Sequence, residues 1–287
     1  MKKNFAKIIL IFCLCMFSTG TLVSAAGDNT LTGDILIPPP QEAKLPIIMY
    51  HLVTENQKYI GKYGITPQQL ESDLQYLAEN NYHTVVVADI LAFVQEGTPL
   101  PDNPIMLTFD DGNYSDYQYL QPLLEKYHMK AVAAIIGEAA DRCHAILEKT
   151  PKAKVPNMGW DQIAALHNAG NIEIQSHGYN VHGANGSGNK KGEGSEAYYT
   201  RLHTDLQKFQ DLCTEKIGHT PTAFIYPLGI VGKGSQKIIE DVGIQVTLGC
   251  EEGMNVLTPG SKEALFKMHR YNRPSNRSIG DILKSIK

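Results

Sequence analysis

The sequence predicts an α/β fold in which parallel strands form a closed or nearly closed barrel. Short apolar runs alternate along most of the chain with segments whose apolar residues recur at helical spacing, a pattern typical of parallel sheets covered by helices. About seven or eight such units follow one another, which favours a barrel over an open sheet. The 287 residues are enough for one large domain with a substantial core.

Each predicted element rests on a local pattern. The first helix is expected at residues 66–81, where Leu70, Leu74 and Leu77 fall on one face. Gly170 should close another helix at residues 160–169. The strands are predicted at residues 47–53, 83–87, 105–109, 130–136, 172–176, 222–226, 244–248 and 266–271. The other helices are predicted at residues 90–95, 114–127, 196–217, 235–242 and 279–286, and residues 183–194 as a solvated loop.

The first 26 residues have the pattern of a bacterial secretory signal peptide. Three lysines precede an apolar run at residues 8–17, and small residues end the segment. The apolar run alone is too short to span a bilayer, so a membrane tether is expected only if the segment stays uncleaved. Residues 27–45 are polar and proline-rich, which predicts a flexible linker, and residues 46–287 are the predicted domain.

Charge and cysteine content argue against nucleic-acid binding, a disulfide-stapled fold and a zinc site built from thiolates. Loss of the signal segment would reduce the basic residues from 26 to 23, against 30 acidic ones, which argues against nucleic-acid binding through a basic surface. Cys143, Cys213 and Cys250 would remain, too sparse a set for a disulfide-stapled fold, although one bridge is compatible with export. The sequence contains no C-x-x-C pattern, so it does not indicate a zinc site built from thiolates.

Two adjacent carboxylates, Asp110 and Asp111, follow an apolar strand and precede Gly112. Like charges repel and are costly to bury, so a divalent cation is their natural partner. Neighbouring side chains on a strand point to opposite faces, and both acids can serve one site only if the strand ends here and turns at the glycine. The alternative is an ordinary loop whose acids cap the next helix.

A histidine pair follows another predicted strand. His177 and His182 are five residues apart, which is not the helical spacing of ligands, so they are expected to lie in a loop. Together with one aspartate they would form a two-histidine, one-carboxylate set that leaves coordination positions for water and substrate. The alternative is that each is an ordinary surface or hydrogen-bonding histidine, since the chain contains ten.

Two further segments are candidates for substrate binding. Tyr226, Pro227 and Leu228 precede a glycine in a turn whose backbone amides could face a reacting oxygen, although an ordinary turn would have the same residues. Trp160, ahead of a helix, is either a platform that stacks on a sugar or a core residue.

Taken together, three motifs resemble the polysaccharide deacetylase family, also described as the chitooligosaccharide deacetylase homology domain or carbohydrate esterase family four. They are TFDDG at residues 108–112, SHGYNVH at 176–182 and YPLG at 226–229. Residues 48–51, 65–77 and 158–163 are similar to it as well. The five-residue histidine spacing resembles the subgroup that deacetylates poly-N-acetylglucosamine.

The resemblance implies a distorted (β/α) barrel of about seven parallel strands and a role for each motif. Asp110 would be the general base, and Asp111, His177 and His182 would bind a divalent metal, zinc above all, with cobalt, nickel or iron as alternatives. The family's base-orienting arginine has no counterpart at Ile225. Gly178 replaces a hydroxyl residue, and the general acid has only His269 as a candidate.

The expected function is a secreted or envelope-associated hydrolase that removes N-acetyl groups from a glycan such as poly-N-acetylglucosamine, peptidoglycan or chitin-like oligomers. Two alternatives stay open. One is a glycan-binding protein without catalysis, which the missing arginine and acid would favour. The other is an O-acetyl esterase of the xylan type. Acetate release from a panel of these substrates distinguishes the three.

Overall fold

The framework of the protein is a curled sheet of parallel strands that helices surround. The structure is a computed structural model that describes residues 42–286. The predicted signal peptide, residues 1–26, and residues 27–41 of the predicted linker lie outside the described residues. The strands are β1 (Ala43–Leu45), β2 (Ile47–Tyr50), β3 (Leu52–Val53), β4 (Gly64–Ile65), β5 (His83–Thr84), β6 (Pro104–Phe109), β7 (Ala131–Ile135), β8 (Ile172–Ser176), β9 (Ala223–Ile225), β10 (Val246–Leu248), β11 (Asn255–Leu257) and β12 (Tyr271–Asn272). The helices are α1 (Pro67–Glu79), α2 (Val87–Glu96), α3 (Gln121–Tyr127), α4 (Gly137–Lys149), α5 (Trp160–Ala169), α6 (Ser195–Ile217), α7 (Ser235–Asp241) and α8 (Ile279–Ser285).

Seven strands pair in the order β10-β9-β8-β7-β6-β2-β12, and every pair among them is parallel. The segment at residues 268–272 closes the ring, because Met268 bridges Leu248 of β10 while Tyr271 pairs with Ile48 of β2. The predicted distorted (β/α) barrel is therefore confirmed. Because the strands are parallel, their carboxyl ends meet at one edge, where barrels of this kind place their functional groups.

Strand residues alternate between two hydrophobic clusters, one on each face of the sheet. Ile47 and its partner Met106 belong to one cluster, which includes apolar residues of α2. Their neighbours Ile48 and Leu107 belong to the other, which packs against α1, α3, α5, α6 and α8. The same alternation directs each side chain at a strand end toward a definite face.

The structure corrects several predicted boundaries. Residues 43–45, the end of the predicted linker, form β1 and pair with β11, because Leu45 is fully buried in the core. The strand predicted at residues 266–271 is reduced to β12, since Lys267 has a left-handed backbone that interrupts extended structure. Helix α4 was not among the predicted elements.

Cys143, Cys213 and Cys250 are free, so the described residues contain no disulfide. Within residues 42–286, none of the helices combines the length and apolar character that crossing a bilayer requires.

Candidate active site

A cavity of about 720 Å³ opens at the carboxyl edge of the barrel. Four of its residues follow strand ends, which explains why residues distant in sequence meet there. His51 follows β2, Asp110 and Asp111 follow β6, and His177 follows β8. The other lining residues are Met49, Leu52, Tyr59, Lys62, Tyr63, Asn113, His182, Leu228, Cys250, Glu252 and Asn272.

Asp110 and Asp111 both face this cavity because the chain turns immediately after β6. Asp111 has a left-handed backbone, with φ 77°, and Gly112 follows at φ 65°. A Cβ on Gly112 would approach Ile135 Cδ1 to 3.0 Å, so glycine is needed here for space as well as for its backbone conformation. The turn begins one residue before the glycine, and that strain at Asp111 is the kind found at functional sites.

Arg270 is the counter-ion of Asp110. Its guanidinium donates from Nη1 to Oδ1 at 2.7 Å and from Nη2 to Oδ2 at 2.9 Å, with both side chains buried. A third hydrogen bond, from Arg270 Nε to the carbonyl oxygen of Gly249, fixes the side chain. Because Ile225 stands where the family has its arginine, the sequence indicated that the base-orienting arginine is missing. That conclusion is wrong, because Arg270 approaches from the segment that closes the barrel.

Asp111, His177 and His182 place one ligand atom each within 4.8 Å of one another. His177 Nε2 and His182 Nε2 lie 3.6 Å and 3.2 Å from Asp111 Oδ1. This oxygen is buried, and within the described residues no side chain or backbone group hydrogen-bonds to it. An orphaned carboxylate oxygen between two imidazole nitrogens suits a cation, so the donor set fits a divalent metal.

His177 is in the neutral state that a metal ligand needs, whereas His182 is shifted toward its protonated form, whose proton a cation would have to displace. Burial lowers the pKa of His177, which keeps its imidazole neutral. Its Nδ1 lies 2.8 Å from the carbonyl oxygen of Ile225, an arrangement that places the proton on Nδ1 and leaves the Nε2 lone pair free. The neighbouring Asp111 carboxylate raises the pKa of His182.

The loop between the two histidines is held at its backbone amides by a side chain of α6. Asp205 of α6 accepts hydrogen bonds from the amides of Tyr179 and Asn180 at 2.8 Å and 2.7 Å. Gly178 has φ 82°, and a Cβ there would collide with Val181 Cγ2 at 2.3 Å. The tight loop therefore explains why glycine stands where the family has a hydroxyl residue.

His51 is a site residue that the sequence analysis did not assign. Its Nε2 lies 3.9 Å from Asp110 Oδ2, on the cavity side of the carboxylate. Its position directly after an apolar strand is the signal that could have identified it. His269, the candidate drawn from the sequence, does not line the cavity, and its neighbour Arg270 points toward Asp110 instead.

The predicted substrate-binding residues separate into two groups. Leu228 lines the cavity, with a left-handed backbone at φ 59°. Tyr226 and Pro227 are buried beneath it and are not part of the cavity lining. Trp160 is also buried, packs near Phe209 and donates from Nε1 to Asp141. The structure thus places Trp160 in the core, the other interpretation that the sequence analysis left open.

Comparison with known proteins agrees with this geometry. YxkH of Bacillus subtilis, whose name describes it as a polysaccharide deacetylase, is 25% identical to this chain over 255 residues. The alignment covers 88% of this chain and 80% of that protein. The poly-β-1,6-N-acetyl-D-glucosamine N-deacetylase of Escherichia coli K12 is 24% identical over 277 residues. That alignment covers 86% of this chain but only 39% of the relative, so the chain spans about two fifths of its length.

Solved structures show the same fold. A de-N-acetylase from Aggregatibacter actinomycetemcomitans superposes with a TM-score of 0.71 at 21% identity, covering 84% of this chain and 99% of that one. The family described as "Polysaccharide deacetylase" matches residues 97–247, more than half of the chain. His51 and Arg270 lie outside the matched range, whereas Asp110, Asp111 and both histidines lie within it. The chain belongs to the polysaccharide deacetylase family.

Proposed function

We propose that the protein is a metal-dependent deacetylase that hydrolyses N-acetyl groups of a poly-N-acetylglucosamine-type glycan. The bond that it would break is a carbon–nitrogen bond other than a peptide bond. One observation carries the proposal: Asp111, His177 and His182 converge in the same cavity as a carboxylate, Asp110, that a buried arginine binds. A cation site next to an ionised base is the arrangement that hydrolysis of an amide requires.

Asp111, His177 and His182 would hold the metal. Two imidazoles and one carboxylate suit zinc, and cobalt, nickel or iron accept the same ligands. The cation would polarise the acetyl carbonyl and lower the pKa of the attacking water. The backbone amides around Leu228 are the candidates to stabilise negative charge on the acetyl oxygen.

Asp110 and His51 would divide the proton transfers between them. Asp110 is ionised and takes the proton of the water that attacks the acetyl carbon. His51 would donate a proton to the sugar nitrogen as the carbon–nitrogen bond breaks, which releases acetate and a free amine. With Nε2 of His51 3.9 Å from Oδ2 of Asp110, the proton can then return to the histidine for the next cycle.

The named activities of relatives support the choice of glycan. The Escherichia coli relative is a poly-β-1,6-N-acetyl-D-glucosamine N-deacetylase, and proteins of that name from Staphylococcus aureus are 23% identical, with 72% of this chain and 68% of the relative covered. The predicted signal peptide at residues 1–26 adds export to the proposal, which fits a substrate outside the cell. Mass spectrometry of protein secreted by its host tests cleavage near Ala26.

The decisive experiment measures acetate release from three substrates: poly-N-acetylglucosamine oligomers, chitin oligomers and acetylxylan. Protein loaded with zinc should act on the first, and chelation should abolish the activity. Asp110→Asn should retain the metal, as measured by elemental analysis, and lose turnover. Acetate release by Asp110→Asn near the wild-type rate would refute the assignment of the base.

The same experiment tests the two alternatives. A preference for acetylxylan would indicate an O-acetyl esterase. Glycan binding without acetate release under any metal would indicate a non-catalytic protein. The absence of an arginine at Ile225 had favoured a non-catalytic protein. The contact between Arg270 and Asp110 removes that reason.

A further inference from the structure

Exposed apolar side chains concentrate at the mouth of the cavity. Among the described residues, the three most exposed large apolar side chains are Leu228 at 56%, Tyr59 at 54% and Tyr63 at 49%, and all three line it. Leu228 comes from the turn after β9, while the tyrosines come from the loop between β3 and β4. Isolated exposed apolar residues need no explanation, but a cluster of them around one opening indicates a binding surface.

The loop that bears Tyr59 and Tyr63 is fixed at its backbone. The amide of Gly61 donates to the carbonyl oxygen of Gly64 at 2.9 Å and closes the turn. The amide of Ser275 donates to Gly61 at 2.9 Å, and the Asn272 side chain donates to the Lys62 carbonyl oxygen at 2.8 Å. The loop is therefore bound to the segment that closes the barrel.

The rings of Tyr59 and Tyr63, unlike the loop backbone, are half-exposed. Tyr63 lies 4.7 Å, centroid to centroid, from the ring of His51, which connects the loop directly to the reacting groups. Lys58 and Lys62 place their ammonium groups 5.8 Å and 4.8 Å from the rings of Tyr59 and Tyr63. Within residues 42–286, no aromatic side chain stacks face to face on either ring, and the His51 ring is tilted by 53° from that of Tyr63.

We propose that Tyr59 and Tyr63 form a carbohydrate-stacking platform that binds pyranose rings of the polymer at the mouth of the cavity. A pyranose presents a flat apolar face of C–H groups with hydroxyls around its edge. A half-exposed tyrosine offers a matching apolar face together with a polar tip, and the rigid loop adds little ordering cost on binding. This inference rests on the proposed function and assigns to these residues the positioning of the substrate, not the chemistry.

The platform predicts weaker binding of the oligomer when either tyrosine ring is removed. Tyr59→Ala and Tyr63→Ala should each raise the KM for a pentamer of N-acetylglucosamine by about three- to tenfold, the size expected for one lost aromatic contact. For Tyr59→Ala, kcat should stay within about twofold, because the stacking is made equally in the ground and transition states.

Three controls make the test specific. Tyr59→Phe should keep the wild-type KM, because the apolar ring is retained. Tyr199→Ala removes an exposed tyrosine of α6 that lies outside the cavity and should leave the KM unchanged. Calorimetric titration of the chelated protein with the pentamer gives a readout that does not depend on turnover.

The outcomes separate this inference from the proposed function. If the wild type released no acetate, the proposed function would fail, and a weaker calorimetric affinity in the alanine variants would still support the platform. Unchanged KM and affinity in both alanine variants would overturn the platform while leaving the deacetylase intact. Loss of binding to phosphatidylglycerol vesicles in those variants, with unchanged pentamer affinity, would mean that the tyrosines meet a membrane instead, and would also overturn it.

Discussion

Arg270 and Asp110 form a buried ion pair with two hydrogen bonds, although 160 positions separate them in the chain. Burial alone would raise the pKa of Asp110. Burial is the largest single influence, but the charge and hydrogen bonds of Arg270 together with the charges of His177 and His51 outweigh it and hold the pKa of Asp110 well below its usual range. The carboxylate is therefore ionised across the neutral range, as a general base must be.

Replacing this arginine should change the pH dependence of the reaction. In Arg270→Gln, burial is opposed only by the histidines, so the pKa of Asp110 rises. Because activity needs the ionised form, Arg270→Gln should acquire an acid limb in its profile of kcat/KM against pH above about pH 4, where Asp110 gives the wild type none. Rates measured between pH 4 and 9 test this difference.

The pair between Arg273 and Asp73 provides a matched control. It is also buried and has two hydrogen bonds, of 2.7 Å and 3.0 Å, but lies outside the cavity. Both Arg270→Gln and Arg273→Gln should reduce the free energy of unfolding by about 3–5 kcal/mol, because each leaves a buried charge unpaired. Only Arg270→Gln should acquire the acid limb. A similar limb in both variants would mean that it reflects general destabilisation.

His51→Gln tests the proposed proton donor. Release of an alkyl amine requires a proton, whereas release of a nitrophenolate does not. The variant should therefore lose about 10²–10⁴-fold in kcat on N-acetylglucosamine oligomers and much less on 4-nitrophenyl acetate. His269→Gln, whose ring lies outside the cavity, should have little effect on either substrate. Equal losses on both substrates in His51→Gln would exclude it as the donor.

The sequence allowed part of this site to be predicted because those residues lie in local patterns. Asp110 and Asp111 follow an apolar strand, and His177 and His182 follow another, so a parallel barrel must bring both pairs to one edge. The strand ends at residues 109 and 176 were predicted correctly. No local pattern, by contrast, says which arginine will face Asp110.

Arg270 and Trp160 show where sequence reasoning reaches its limit. Residues 268–272 pair with β10 on one side and β2 on the other, so Arg270 reaches the interior only because the barrel closes there. Trp160 occurs in a segment, residues 158–163, that resembles the polysaccharide deacetylase family, but its environment depends on Phe209 and Asp141, which are distant in sequence. Both assignments depend on tertiary contacts, and periodicity carries no information about these.

Metal binding should stabilise the fold as well as permit catalysis. Because the three ligands come from two strand ends and a loop, only the folded chain presents them together, and a cation at 100 times its Kd should add about 2.7 kcal/mol to the free energy of unfolding. Chelation should therefore lower the Tm of the wild type. His177→Ala and His182→Ala should lose both the bound metal, measured by elemental analysis, and this response to the chelator.

His144→Ala is the matched control for those variants. His144 lies 3.7 Å from Glu148 and 4.0 Å from Asp161, so it is another histidine beside two carboxylates, outside the cavity. It should keep the wild-type metal content. A comparable loss of metal in His144→Ala would show that binding is not confined to the triad.

Asp116 should make the metal-free protein less stable as the pH rises. Its side chain is fully buried at the start of a π-helical turn, and within the described residues neither carboxylate oxygen has a hydrogen-bond partner. Burial, followed by the charges of Asp111 and Asp110, raises its pKa well above the usual value. Above about pH 4 the unfolded chain therefore releases a proton that the folded chain still holds.

This difference favours the unfolded state by up to about 1.4 kcal/mol for each pH unit, until the pKa of the folded protein is reached. Asp116→Asn, a neutral side chain of the same shape, should remove the effect. In urea unfolding of chelated protein, the variant should gain stability over the wild type between pH 5 and 8 and lose that advantage near pH 4. Asp211→Asn, on the exposed face of α6, controls for the amide itself. A stability difference between Asp116→Asn and the wild type that did not vary with pH would show that Asp116 is already ionised in the folded protein.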